Sequence, residues 1–261
     1  MFKFVLLVFF IIYYSDGCRV IEQRANGVTT DRDDTSFLVL LEGFITFDEK
    51  VLCSGVFISQ KYILTTGHCV NGTMFVNVHV YAHRLRDVFE DKRSIYRIEK
   101  ENLIIRNAQD PQHEDVFNDI ALIKMPDTFV WKDYLKIANL PTTDFVVGTE
   151  GKTYGWGLLS YTDDHAAGLK QEYSLRFISN ADCHEAYPNL FWDNGAYGRV
   201  CIKALSGTNC VSDNGSPFMV NGIVYGFQSY GQLEACDGDH PNLVQDVFYH
   251  LSWIKENAEI Q

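Results

Sequence analysis

Alternating apolar and polar positions are the clearest hydrophobic pattern in this chain. The alternation is strongest from Met74 to Ala82, where Val76, Val78 and Val80 alternate with larger or polar residues. A period of two residues is typical of a strand with one buried and one exposed face. Further β-rich runs are Phe37–Leu41, Val51–Ser59, Tyr62–Thr66, Ile120–Met125, Arg176–Ser179 and Gly222–Ser229. Short strands separated by turns predict an all-β barrel or sandwich.

Helical periodicity is found mainly near the end of the sequence. From Val247 to Glu259, Leu251, Ile254 and Ala258 recur at intervals of three or four residues, which predicts a helix. Strand signals are weak between Pro126 and Val146. We interpret that stretch as a connector between two β units.

The first residues have the pattern of a secretory signal peptide. Lys3 precedes an apolar run from Phe4 to Tyr14, and Ser15-Asp16-Gly17 follows. A charged start, a short apolar run and small residues predict cleavage after Gly17, so residues 1–17 would be removed and residues 18–261 secreted. The run is shorter than the about 20 apolar residues that span a bilayer. A buried N-terminal strand is the alternative interpretation.

Composition narrows the classes of function. A mature chain of roughly 240 residues can bury a substantial core, and 46% hydrophobic residues exclude a disordered chain. The net charge of -12 argues against nucleic acid or an anionic membrane as a partner, because both favour a basic surface. We expect a protein partner.

The seven cysteines predict disulfides rather than a metal site, because the chain is exported and contains no C-x-x-C pair. His79 and His83 have a spacing that suits a metal on a helix, but on a strand their rings would lie about 13 Å apart. We therefore expect neither a metal nor a cofactor. Cys18 is the odd cysteine, either free or paired with another chain.

Three short motifs carry the chemistry of the chain. They are Leu64-Thr65-Thr66-Gly67-His68-Cys69, then Asn118-Asp119-Ile120-Ala121-Leu122-Ile123, then Cys210-Val211-Ser212-Asp213-Asn214-Gly215-Ser216-Pro217. In sequence and order they resemble the TAAHC, DIAL and GDSGGP motifs of the chymotrypsin/trypsin family. The resemblance extends from Arg24 to Trp253 and includes Gly155-Trp156-Gly157 and Ser229-Tyr230-Gly231.

The resemblance implies two six-stranded antiparallel β-barrels with the site in the cleft between them, and a C-terminal helix. The first barrel would cover residues of about 25–130, the second about 145–246 and the helix about 247–259. It also implies the disulfides Cys53–Cys69, Cys183–Cys201 and Cys210–Cys236.

The triad positions implied by the resemblance are His68, Asp119 and Asn214. In the family the histidine is the general base and the aspartate sets its tautomer, but an asparagine amide is not a nucleophile that this base can activate. Loss of a triad serine lowers turnover by roughly a millionfold. We therefore expect His68 and Asp119 to be packed cleft residues without a catalytic role.

The positions around the triad also depart from the family. Ser212 replaces the glycine whose N–H, with that of residue 214, would bind the oxyanion. The specificity-pocket positions are Thr208, Tyr230, Gly231 and Asn242. Thr208 removes the fixed charge at the floor of the pocket, and Asn242 should narrow the pocket at its wall. Gln232–Ala235 lengthens the pocket rim, and Arg24–Gly27 is a poor match to the N-terminus that pairs with Asp213 in the family.

Two sequons are present. Asn71-Gly72-Thr73 follows the histidine motif in an expected surface loop, so we predict glycosylation of Asn71. Asn214-Gly215-Ser216 is discounted because Pro217 follows and the site should be recessed. His113, Glu114 and Asp115 are expected to form a solvated loop rather than a metal site.

The sequence therefore predicts a secreted, inactive protease homologue that acts by protein binding. It resembles the inactivated serine protease paralogues of scabies mites and mite trypsin-like allergens, which implies host plasma or complement proteins as partners. One alternative is an active endopeptidase that uses Ser212 or Ser216, and another is a decoy for protease inhibitors. The sequence does not indicate an oligomeric state.

Overall fold

The structure, a computed structural model, describes residues 28–106, 118–156, 170–187, 198–205, 214–230 and 241–260. Two antiparallel sheets contain the strands. The first has β2 (Leu38–Phe44), β3 (Lys50–Phe57), β4 (Tyr62–Thr65), β5 (Phe75–Val80), β6 (Ser94–Glu99), β7 (Leu103–Ile105) and β8 (Ala121–Lys124). The second has β1 (Val28–Thr29), β9 (Glu150–Gly155), β10 (Gln171–Phe177), β11 (Arg199–Ala204), β12 (Pro217–Val220), β13 (Ile223–Tyr230) and β14 (Asn242–Asp246). The helices are α1 (Asn180–Ala186) and α2 (Leu251–Asn257).

The first sheet has the order β6-β5-β2-β3-β4-β8-β7, and its neighbours pair antiparallel. The described residues of this sheet form seven strands where six were expected, because the 3₁₀ turn Lys100–Asn102 separates β6 from β7. The two-barrel architecture is the one predicted from the sequence.

The second sheet closes on itself. Its order runs β10-β11-β14-β13-β12-β9, and β9 pairs again with β10, so six strands form a ring. β1 is added beside the ring, with Val28 opposite Glu172. The sequence assigned residues from about 25 onward to the first barrel, and for Val28–Thr29 this is wrong. β11 pairs with β10 only as far back as Leu175, so the start of β10 has free backbone groups that β1 satisfies.

β5 differs from its sequence prediction because both of its faces are covered. The alternate valines lie in the core, as expected, but Phe75 and His79 on the other face are only 7% and 2% exposed. The Phe75 ring stacks on Phe44 and lies under the guanidinium of Arg97. His79 lies 2.8 Å from the Glu42 carboxylate. Aromatic and charged neighbours therefore bury a face that the alternation alone predicts to be exposed.

The helices are short. α2 begins at Leu251 because residues 247–250 form a turn, so only part of the predicted span is helical. α1 was not predicted, although Ser179 is an ordinary N-cap whose side chain accepts the Asp182 N–H. Within the described part of the chain, no helix is both long and apolar enough to cross a membrane.

One buried cluster joins the two sheets. Its members from the first sheet include Leu38, Leu40, Val56 and Leu64, and those from the second include Met219, Val224 and Phe227, with Trp156 beside them. Residues 126–149 connect the sheets without a strand, and Asn139 makes an isolated bridge to Ile223 of β13. The two barrels therefore pack directly on each other, which places the ends of their strands around a shared cleft.

Candidate active-site cleft

His68 and Asp119 meet at the ends of two paired strands. His68 lies in the 3₁₀ turn Gly67–Cys69, which follows β4, and Asp119 lies just before β8. β4 and β8 are paired, with Thr65 opposite Ala121. The structure thus brings together two residues that lie 51 positions apart in the sequence.

Asp119 holds the histidine through both carboxylate oxygens. Oδ1 accepts the backbone N–H of His68 at 2.7 Å, and Oδ2 lies 2.7 Å from the ring Nδ1. The hydroxyl of Ser229 also donates to Oδ2. Because Nδ1 faces an acceptor, the neutral ring carries its proton there and keeps a lone pair on Nε2. His68 therefore has the orientation and tautomer of a general base.

Gly67 is the small residue that this arrangement needs. A Cβ built on Gly67 would lie 3.1 Å from Oδ1 of Asp119 and 3.4 Å from the Ile120 nitrogen. Both contacts are with the oxygen or backbone that orients the histidine. The glycine of the first motif thus permits the close approach of the two segments.

Asn214 lies at the junction of the two barrels. Its carbonyl accepts the N–H of Ser54 in β3 at 2.9 Å, and the next N–H, of Gly215, donates to the Gln228 carbonyl in β13 at 2.9 Å. Gly215 has a φ of 72°. A Cβ there would lie 2.2 Å from the Ser54 carbonyl oxygen, so only glycine fits. The third motif is therefore hydrogen-bonded to the first barrel through Asn214 and to the second barrel through Gly215.

A buried chain of hydrogen bonds extends from Asp119 into the second barrel. Gln245 Nε2 donates to the Ser229 hydroxyl at 3.3 Å, and its Oε1 lies 3.2 Å from His250 Nε2. Arg106 donates to Nδ1 of the same histidine. Burial, and then the charge of Arg106, lower the pKa of His250 to about 3, so its ring is neutral. In this series of hydrogen bonds, each donor therefore points toward Asp119.

Sequence reasoning missed Gln245, His250 and Arg106. Gln245 and His250 are both 0% exposed. The signal for Gln245 and His250 was a polar residue within the apolar stretch before the C-terminal helix. Such a signal does not reveal which site the side chain supports.

The other predicted site residues differ in how far the structure describes them. Asn242 lies in β14, opposite Ile202, and its side chain is 4% exposed. Tyr230 ends β13. The predicted positions Thr208, Ser212, Asp213 and Gly231, and the insertion Gln232–Ala235, lie outside the described residues.

Two of the three implied disulfides are present in the described residues. Cys53–Cys69 joins β3 to the turn that carries His68, and Cys183–Cys201 joins α1 to β11. Cys18, Cys210 and Cys236 lie outside the described residues. The first disulfide therefore anchors the histidine turn to the neighbouring strand.

The predicted glycosylation site is presented by a turn. Asn71 is exposed, and its backbone N–H donates to Gly67 at 2.8 Å. Gly72 has a φ of 74° and open space around it. Thr73 is buried with its hydroxyl bonded to the Val70 carbonyl at 2.8 Å. A glycan on Asn71 would lie three residues from His68.

Among the described residues, one group has metal-ligand atoms close together. Atoms of Cys53, His68 and Cys69 lie within 4.8 Å of one another, but the two sulfurs are bonded in a disulfide and are not thiolate ligands. The Nε2 atom of His79 lies 2.8 Å from the Glu42 carboxylate, and the backbone N–H of His83 donates to Glu90. His113, Glu114 and Asp115 lie outside the described residues.

Two packed antiparallel barrels with a histidine–aspartate pair in the cleft define the class of chymotrypsin-like proteins. Residues 27–254 match the trypsin family. Brachyurin of Leptuca pugilator is 32% identical over 222 residues, which cover 82% of this chain and 90% of that protein. Two solved structures share the fold. A structure titled HL collagenase has a TM-score of 0.76, 23% identity, and coverage of 91% of this chain and 99% of its own. Neuropsin of mouse brain has a TM-score of 0.73, 20% identity, and coverage of 90% and 99%.

The chain belongs to the trypsin family. Disulfides on this fold are typical of secreted proteins.

Proposed function

We propose that this chain is a secreted trypsin homologue without peptidase activity, which acts by binding another protein. The observation that carries the proposal is Asn214 at the position after Asp213 in the third motif. His68 retains the geometry of a base, but the residue it would activate has an amide in place of a hydroxyl or thiol. Without a nucleophile the acyl-transfer step does not begin.

The pocket positions support the same conclusion. Asn242 is a nearly fully buried side chain in β14, where the resemblance places a glycine of the pocket wall. A side chain there occupies space that a substrate residue would need. Thr208 leaves no fixed charge for a basic substrate side chain. The old cleft is thus poorly suited to hold substrates or substrate-like inhibitors, which disfavours the inhibitor-decoy alternative.

The alternative of an active endopeptidase needs a displaced nucleophile. The Ser216 hydroxyl is buried and makes no hydrogen bond to any described residue, so it is not paired with His68. A working nucleophile must reach the base at hydrogen-bonding distance and also be exposed to substrate. Ser212 is the remaining candidate.

The partner we propose is a protein of host plasma, with complement proteins as the first group to test. The basis is the resemblance to the inactivated mite paralogues, together with the acidic charge, which disfavours nucleic acid and anionic membranes. Pull-down from plasma with the mature glycosylated protein as bait would identify it. A His68→Ala variant should capture the same partner, because the proposal assigns binding to the surface and not to the cleft.

Activity is tested with a fluorophosphonate probe and a mixed peptide library. The mature protein should remain unlabelled and leave the peptides intact, while an active trypsin under the same conditions is labelled. An Asn214→Ala variant separates the alternatives. Labelling of the native protein that persists in this variant would establish a displaced nucleophile and refute the proposal.

A further inference from the structure

A cavity of about 500 Å³ lies on the second barrel between the sheet and helix α1. Arg176 of β10 and Lys203 of β11 line the sheet side, and Asp182 and Glu185 of α1 line the helix side. None of the three triad positions contributes to its lining. The cavity is therefore separate from the cleft described above.

The two basic side chains lie side by side on one face of the sheet. Arg176 and Lys203 are directly opposite in the antiparallel pairing of β10 and β11, so both project from the same face of the sheet. Like charges in such a pair destabilise a sheet. Among the residues that the structure describes, neither side chain has a hydrogen bond or an ion pair. Within the described part of the chain, no direct contact thus compensates for placing these two cations together.

The acidic wall does not neutralise them. Asp182 and Glu185 are three residues apart and share one face of α1. The Asp182 carboxylate is bound by the Ser179 hydroxyl at 2.6 Å, and no ion pair joins either acid to Arg176 or Lys203. Opposite charges therefore face each other across the cavity without contact.

The walls are held in place covalently. The disulfide Cys183–Cys201 links α1 to β11, the two elements that line the cavity. Tyr187, just after α1, donates its hydroxyl to the carbonyl of Pro241, which also lines the cavity. A helix fixed in this way cannot close on the sheet, so the charges are organised before any ligand arrives.

We propose that this cavity binds a segment of a protein partner in which an acidic and a basic side chain lie side by side. The acidic side chain binds between Arg176 and Lys203, and the basic one binds Asp182 and Glu185. A polyanion fits less well because the carboxylates of α1 repel it. This inference rests on the proposed function in one respect, which is that the ligand is part of a protein.

The test uses three synthetic peptides of equal length: one with alternating Glu and Lys, one with Glu only and one with Lys only. Each is titrated into the mature protein at low salt, with binding followed by amide NMR shifts. The mixed peptide should bind best and shift residues of β10, β11 and α1. Absence of binding by the mixed peptide, or equal binding by the Glu-only peptide, would overturn the proposal.

Variants locate the site. Arg176→Gln and Lys203→Gln should each weaken binding of the mixed peptide about tenfold, because each removes one charge-assisted hydrogen bond. Lys152→Gln is the matched control, since Lys152 pairs with Glu172 outside the cavity. Glu185→Gln should weaken the mixed peptide and strengthen the Glu-only peptide. Unchanged affinity in all three cavity variants would refute the site.

Two control measurements separate a loss of peptide binding from unfolding and from the question of peptidase activity. The melting temperature of Lys203→Gln should not fall, because the change relieves repulsion between like charges. A decrease in binding then reflects the lost contact and not unfolding. Labelling by the serine-directed probe would refute the proposed lack of activity and leave the peptide result unaffected. Loss of the peptide result would leave the inactivity proposal intact.

Discussion

Asp119 binds His68 at two points, through the backbone N–H and through ring Nδ1, each at 2.7 Å. The second contact sets the tautomer, and the first holds the turn that carries the ring. Ser229 donates to the same carboxylate, so the pair is held from both barrels. The histidine–aspartate pair therefore keeps the geometry of a general base and its orienting acid, which makes the introduction of a hydroxyl at residue 214 an informative experiment.

The first prediction is that Asn214→Ser alone stays near background activity. The variant places a hydroxyl at the position that the family resemblance assigns to the nucleophile. By the same resemblance Ser212 still stands in place of the oxyanion glycine, whose contribution is worth about 100- to 1,000-fold in turnover. Asn242, which the family resemblance places at the pocket wall, is unchanged in this variant, so we expect the substrate to be poorly placed. Steady-state hydrolysis of peptide substrates measures the result.

Adding Ser212→Gly and Asn242→Gly to this variant should raise activity more than additively, because the three positions act on one transition state. Asn214→Ser with Lys136→Gln, a surface change, serves as the control. Trypsin-like rates in the single revertant would mean that only the nucleophile has been lost.

The second prediction concerns the third disulfide. Peptide mapping without reduction should find Cys210–Cys236 in addition to the two bridges seen here. Replacing Cys183 and Cys201 together by alanine should lower the free energy of unfolding by about 3 kcal/mol, as the loop between them spans 18 positions. Denaturant unfolding measures this loss. Any other pairing among these six cysteines would contradict the family alignment.

The third prediction compares two glycines with positive φ. Gly215→Ala should be strongly destabilising, because its Cβ would meet the Ser54 carbonyl oxygen at 2.2 Å and Thr65 Oγ1 at 2.7 Å. Gly222→Ala has a similar φ of 80° but nothing within 4 Å, so its cost is the backbone term alone, about 1 kcal/mol. Thermal unfolding compares the two variants. Equal losses would show that residue 215 is not packed against β3.

The fourth prediction is a pH dependence caused by a buried lysine. Lys170 is 0% exposed, and its ammonium donates to the Thr35 carbonyl at 3.1 Å. Burial, and then the charge of Arg32, lower the pKa of Lys170 to about 7. Below that pH the lysine is charged in both states and burial destabilises the fold. Between about 7 and its ordinary value of 10.5 only the unfolded chain holds the proton, so stability rises with pH.

Lys170→Met removes this dependence. The variant should be more stable than the native protein at pH 6, and its advantage should shrink by about 2–3 kcal/mol by pH 9. Denaturant unfolding at the two pH values measures the change. Lys136→Met, at a half-exposed surface lysine, is the control for loss of one charge. An advantage that does not change with pH would mean that Lys170 stays charged in the fold.

Several features could be predicted from sequence because they are local. The first two motifs identified His68 and Asp119 as neighbours before any geometry was known, and the structure brings them together. The β-rich runs predicted β2, β3, β4, β8 and β13 to within a few residues. Alternation also located β5, but it failed for the second face, since Phe75 and His79 are covered by neighbouring strands.

Only the tertiary structure placed residues whose roles depend on strand register. Gln245 and His250 reach Asp119 through Ser229 because β14 pairs with β13, and Arg106 arrives from the other barrel. The same holds for Arg176 and Lys203, which face each other through the pairing of β10 with β11.

Motifs and side-chain periods are local features of the sequence, so the sequence by itself determined the family and located the His68–Asp119 pair. Register and the packing of one barrel on another depend on the summed contacts of distant segments, and no local pattern encodes them. For that reason, the hydrogen-bond chain behind Asp119, the place of Val28–Thr29 in the second barrel and the cavity with two facing cations were decided by the tertiary structure alone.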